Sequence, residues 1–199
     1  MAEPSEQGFR SSPQQVRAWR LEQNASLCML SIAGTAPLDR TALRQALAAT
    51  VERHEVLRTA FRQLASLLAP LQFIQPPRAP ALPTIDLRRL DEPRRRAAAA
   101  QLLDALGRPR FDLARGEVLR CALLCLAAGE HGLLLALSPM CADDAAFAPL
   151  TADLMAAYCH RLAGEGEAAG PPLQYADVAE WLHELLEAED AAVGIAAWQ

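Results

Sequence analysis

An α+β fold is what this 199-residue sequence predicts, and three observations carry it. Strand-like and helix-like stretches are mixed without the strict βαβ alternation of a doubly wound sheet. Two apolar runs, Val118 to Leu126 and His131 to Leu137, face each other across Ala127-Ala128-Gly129-Glu130 as a hairpin. Apolar residues make up 52% of the chain, with alanine prominent among them, which favours helices between the strands.

Taken in order, residues 1–11 are polar at the start and read as a disordered tail before one domain over 12–199. Ser12-Pro13 has the form of an N-cap followed by Pro in the first turn, opening a helix to about Gln23. Ser26 to Ala33 is strand-like. Asp39-Arg40-Thr41-Ala42 starts a helix carrying Leu43, Leu47 and Val51 at helical spacing. Leu57 to Phe61 reads as extended, Leu67 to Ile74 as a strand, and Leu82 to Leu87 as another. Pro93 to Leu106 is helical, with Arg94-Arg95-Arg96 in its first turn. After the hairpin come a helix over Phe147 to Ala163, a loop over Gly164 to Pro172, and a final helix over Tyr175 to Glu189.

Composition excludes several classes. The net charge of −5 argues against nucleic acid as a partner. No apolar run has the length of a membrane span, and Met1 to Arg10 lacks a signal-peptide core, so a cytoplasmic location is expected. Five cysteines in apolar surroundings read as reduced core residues, and they supply no tight four-ligand spacing for zinc. Neither a metal nor another cofactor is called for. Charge is uneven: residues 162–199 carry eight acids and no Arg. The last helix therefore sets acids beside Trp181, Leu182, Leu185 and Leu186, a solvated face or a docking face for a basic partner. Arg88, Arg89 and Arg94 to Arg96 form a basic cluster, read first as a solvated loop and helix start.

Four stretches resemble one family. Arg53-His54-Glu55-Val56-Leu57-Arg58-Thr59-Ala60-Phe61 resembles the R-H-E-x-L-R-T-x-F signature of condensation domains of nonribosomal peptide synthetases. Ser12 to Leu21 is similar to their opening S-x-A-Q-x-R-[LM]-[WY]-x-L, with Gln14 and Ala18 departing. Phe111-Asp112-Leu113 with Gly116 and Arg120 resembles F-D-L-x-x-G-x-x-x-R, and Tyr175, Asp177, Ala179 and Trp181 resemble Y-x-D-[YF]-A-x-W. The resemblance spans the first lobe of a two-lobed family. It implies a single chloramphenicol-acetyltransferase-like lobe, a mixed sheet flanked by helices.

In that family a pair of histidines and an Asp-Gly sit on the turn after the hairpin. Here those positions are Ser138, Pro139, Asp143 and Asp144. Proline has neither a side-chain base nor an N–H, and loss of a general base costs on the order of 10²–10⁴ in rate. No catalytic residue is therefore assigned. The resemblance implies a structural pair between Asp143 and Arg58. Ser138 lacks a nucleophile-elbow context, and Cys141 has no His near it in sequence. His54 reads as a structural histidine, while His131 and His183 read as surface residues.

These readings give a degenerate, non-catalytic condensation-like module that docks a synthetase module, carrier protein or tailoring enzyme, as degenerate family members recruit oxidases. A homodimer is a further expectation, with the partner-binding residues placed at Met140, Trp181 and Leu185. The alternative is the first lobe of a divergent acyltransferase completed by a second lobe, forming amides between carrier-bound substrates.

Overall fold

The computed structural model describes residues 8–188 apart from 22–23, 35, 66, 165–169 and 171. Its elements are β1 (Gly8–Arg10), α1 (Pro13–Leu21), β2 (Ser26–Ala33), α2 (Arg40–Arg53), β3 (Thr59–Arg62), β4 (Leu71–Ile74), β5 (Thr84–Asp86), α3 (Glu92–Gly107), β6 (Leu119–Ala127), β7 (Glu130–Leu137), α4 (Phe147–Ala163) and α5 (Tyr175–Glu187). The strands form a four-stranded sheet in the order β2-β7-β6-β5 and a three-stranded sheet in the order β1-β4-β3. All neighbours are antiparallel except β5 and β6. This is the expected α+β arrangement, a mixed sheet flanked by helices.

The hairpin runs of sequence become the central strands because both of their faces are covered. Successive side chains of a strand point to opposite faces. On one face Leu123, Leu133 and Leu135 meet Leu43, Leu47 and Val51 of α2 and Leu154 and Tyr158 of α4. On the other, Ala122, Leu124 and Leu134 meet Ala99 of α3. Burying each such leucine contributes about 1.5–3 kcal/mol, so continuous apolar runs are selected here rather than alternation. The helix starts follow local chemistry. Asp39 caps α2 by accepting from the backbone N–H groups of Thr41 and Ala42, and Asp91 caps α3 through the N–H of Arg94. The Tyr158 hydroxyl accepts from the Asp39 N–H at 3.1 Å, pinning α4 to the start of α2.

Four expectations change. The tail expected over residues 1–11 is a strand at Gly8–Arg10, paired with β4; residues 1–7 lie outside the described ones. Leu57 to Phe61 is not extended throughout, since Glu55–Arg58 forms a 3₁₀ turn before β3. Of the strand expected over Leu67 to Ile74, only Leu71–Ile74 finds a ladder. The last helix ends at Glu187, and the expected end at Glu189 lies outside the described residues. No helix among the described residues is long and apolar enough to cross a membrane.

Candidate functional site

β7 delivers the chain to the turn at residues 138–146. Ser138 continues the strand by one bond, its N–H reaching the Val118 carbonyl. Pro139 has no N–H, so the ladder stops there. The chain then folds back on Ser138, whose carbonyl accepts from the N–H groups of both Cys141 and Ala142. The Ser138 hydroxyl accepts from the Met140 N–H at 3.2 Å. Ser138 is 1% exposed, so its oxygen is part of the turn and not an open nucleophile.

Met140 anchors the turn from inside. It is 2% exposed and packs with Ala18, Phe61 and Val118. Its carbonyl accepts from Gln15 Nε2 at 3.0 Å, and the same amide nitrogen donates to Gln72 Oε1 at 3.0 Å. Gln15 Oε1 receives the Ser12 N–H, and Gln72 Nε2 donates to the Arg10 carbonyl. Ser12 Oγ in turn lies 2.9 Å from the Tyr175 hydroxyl. A buried polar chain thus joins β1, α1, β4, the turn and α5, and each of these groups has a partner, as burial requires.

Beyond Met140 the turn emerges. Asp143, Asp144 and Ala145 are exposed. Asp143 accepts from the Ala146 N–H at 3.2 Å, capping the 3₁₀ turn Asp144–Ala146 that leads into α4. Asp144 therefore occupies a right-handed turn that needs no glycine.

The structure separates the residues that were expected to act together. The Arg58–Asp143 pair is not made. The turn Glu55–Arg58 sets Glu55 one turn behind Arg58, within 3.2 Å of its guanidinium, and the Gln75 carbonyl takes the other arm at 2.5 Å. With both arms engaged on the β3–β4 side, Asp143 caps its own turn instead. Met140 is likewise corrected: buried under α1, it offers a partner nothing. Trp181 and Leu185, 58% and 52% exposed, do lie on the outer face of α5.

The histidines are used structurally. His54 Nε2 lies 2.8 Å from Asp153, tying α2 to α4. His183, expected on the surface, is half-buried and donates to the Ser11 carbonyl at 2.8 Å. Burial pushes the thiols of Cys121 and Cys141 up to about 12, so neither is a thiolate at neutral pH. The basic cluster is largely answered by its own neighbours, Arg88 by Asp86, Arg94 by Asp91 and Arg96 by Glu92. Among the described residues no group of three or more His, Cys, Asp or Glu could hold a metal ion.

Two features escaped the sequence reading. One is the Gln15–Gln72–Met140 link, for which Gln15 in the opening stretch was a signal but Gln72 was not. The other is the seal on β1. Glu180 of α5 accepts the Arg10 N–H at 2.6 Å and the Arg10 guanidinium at 2.9 Å, with Glu187 beside it. Partial burial raises the Glu180 carboxyl, but the Arg10 N–H and guanidinium prevail and hold it below its ordinary value.

The chain matches the family model described as "Condensation domain" over residues 6–199. It is 38% identical over 148 residues to chondramide synthase cmdD of Chondromyces crocatus, covering 74% of this chain and 4% of that one. It is 36% identical over 165 residues to phosphinothricin tripeptide synthetase PhsC of Streptomyces viridochromogenes, covering 82% of this chain and 15% of that one. Among solved structures it is similar to the X-domain from teicoplanin biosynthesis, at 31% identity and a TM-score of 0.77 over 96% of this chain and 40% of that one. The complex of the X-domain and OxyB matches over the same shares, at 30% identity and a TM-score of 0.74. The chain thus spans a small fraction of the synthetases and about two-fifths of the solved domains it resembles.

Proposed function

This chain belongs to the condensation-domain family, and from that premise we propose that it is a non-catalytic docking module in nonribosomal peptide biosynthesis. The turn at the family's histidine positions carries this reading. It presents a buried Ser138 whose hydroxyl is already bonded, and Pro139, which can take no proton. The nearest thiol, Cys141, is held protonated by burial. The two carboxylates at the mouth of the turn are exposed, and Asp143 is engaged as a cap. Nothing at this position supplies a base for an attacking amine.

The docking half of the proposal rests on α5. Its buried side is the small face of Ala176 and Ala179, which leaves Trp181 and Leu185 outward among Asp177 and Glu184. Trp is among the residue types that dominate interface energetics. The likeness to the X-domain, which is solved in a complex with OxyB, supports a tailoring enzyme as the partner.

The test has two arms. Purified protein given one acyl-loaded and one aminoacyl-loaded carrier domain should leave no amide on the second carrier by mass spectrometry. Product above a protein-free control would overturn the non-catalytic assignment. Calorimetric titration with a tailoring oxygenase of the same assembly line should show binding that Trp181→Asp weakens by roughly tenfold or more. No binding, or binding indifferent to that change, refutes the docking role.

A further inference from the structure

Among the described residues two sheets have four edges, and three of these edges are closed by this chain itself. The β1 edge is sealed by α5, with Glu180 on the Arg10 N–H and His183 on the Ser11 carbonyl. The β3 edge is flanked by the turn Leu113–Arg115 and by Gly116, packed so closely that a Cβ there would stand 3.4 Å from the Ala60 nitrogen. Arg62 also reaches across it to the Ala114 carbonyl. The β5 edge is three residues long and ends in Asp86, which holds Arg88, while Arg40 bonds the Thr84 hydroxyl. Short edges, charges and covering segments are how folded chains prevent unwanted strand pairing.

Among the described residues β2 has none of these devices. It is eight residues, Ser-Leu-Cys-Met-Leu-Ser-Ile-Ala, without a charge or a proline, and among the described residues it ladders with β7 alone. Its side chains alternate between half-buried and exposed along its whole length, and no position is fully buried, although it belongs to the main sheet. Leu27 and Met29, 36% and 46% exposed, stand on the α3 side, and Met29 borders an open groove of about 710 Å³ with Leu103 and Leu126.

From this contrast we infer that β2 is a strand-pairing surface whose occupant is β2 of a second copy, antiparallel about a two-fold axis normal to the sheet. Such an axis keeps each face on its own side, so only residues of one face can meet. Centred on Leu30, the register sets Leu27 against Ala33, Cys28 against Ile32 and Met29 against Ser31. Each large outer side chain meets a small one, and no like charges come together. The product is a continuous sheet of twice four strands. It closes at two copies, because the outer edges are then the short, charged β5 strands. The backbone of β2 supplies the hydrogen bonds, and the Leu27 and Met29 side chains with the adjoining groove supply apolar area toward the roughly 1,000 Å² that a stable interface needs.

Sedimentation velocity from about 1 to 300 µM, a range that spans moderate self-affinity, should show a monomer–dimer equilibrium. Met29→Lys and Ser31→Glu alter exposed side chains, so melting curves should hold while each weakens the dimer by roughly tenfold or more. The double variant Met29→Lys/Ser31→Glu sets opposite charges across the axis and should recover most of the affinity. Hydrogen exchange of the unsubstituted chain should slow at β2 amides, and not at β5 amides, as concentration rises. A monomer throughout the range overturns the inference. So does a dimer that ignores Met29→Lys, a double variant no tighter than the singles, or β2 exchange that does not depend on concentration.

Discussion

Behind the four-stranded sheet lie Leu43, Leu47, Leu154 and Tyr158; behind the three-stranded sheet, beside Phe61, lie Gln15, Gln72 and Ser12. Both interiors are buried, but they are held in different ways. Leucine contacts are non-directional, and a core of them tolerates repacking if volume is kept. The amide pair is directional: Gln15 reaches Met140 and Gln72 from one nitrogen, and a small rotation would lose both. The main sheet therefore supplies bulk stability, and the small sheet fixes where the turn at 138–146 sits.

This contrast can be broken by substitution. Leu135→Ala, in the fully packed apolar face, should cost about 2–5 kcal/mol, whereas Leu135→Met should cost less than about 1.5. Urea midpoints would check both, and a large loss for methionine would mean that this core is as geometry-bound as the polar one. Gln15→Ala strands the Met140 carbonyl and Gln72 Oε1 and should cost about 1–3 kcal/mol. A cost no larger than that of a surface change would remove the polar chain from the argument.

A smaller effect separates charge from packing. The Arg120 guanidinium donates to Glu117 and holds its carboxyl below the ordinary 4.5, against the rise from partial burial. Because the native value is depressed, the unfolded chain takes up the proton first as pH falls. The contribution is complete above 4.5 and lost as pH drops through the lower native value. Glu117 is part-exposed, so Glu117→Gln should lose less than about 1 kcal/mol at pH 7. Urea melts should show that difference narrowing as pH falls below 4.5; a constant difference would assign it to packing. The smallest effect leaves stability untouched. A thiol reagent on the native protein should modify the exposed Cys159 while sparing Cys121 and Cys141, which should react only after denaturation. Native labelling of Cys141, read by peptide mapping, would mean that the turn opens.

The apolar half of the molecule was legible in sequence: burial on both faces leaves the long runs of β6 and β7, and β2 and α4 also fall where the sequence places them. The polar half was less so. β1 is three residues whose partner lies some sixty positions on, a distance at which composition carries no signal. Gln15 stood in a recognisable stretch, but its partners come from β4 and the turn, and only the fold brings them together. Arg58 was assigned the distant carboxylate when a nearer one, Glu55, was already in its own 3₁₀ turn. Met140 looked available because the resemblance puts its turn on the face that a second lobe covers, whereas Ala18 of α1, Phe61 of β3 and Val118 bury it. At the candidate site the exposure of Trp181 and Leu185 could be read from the sequence; the burial of Ser138 and Met140 in the turn could not.

The seal on β1 also has a consequence in time. Arg10 is synthesised some sixty residues before its strand partner β4. Glu180 and His183, which close that edge, follow about 170 residues after it. During translation at about 5–20 residues per second, the small sheet can pair while its outer edge is still bare, and it stays bare until α5 has cleared the ribosome. The nascent chain passes through a window in which β1 is open to the wrong neighbour, and the arrival of α5 ends it.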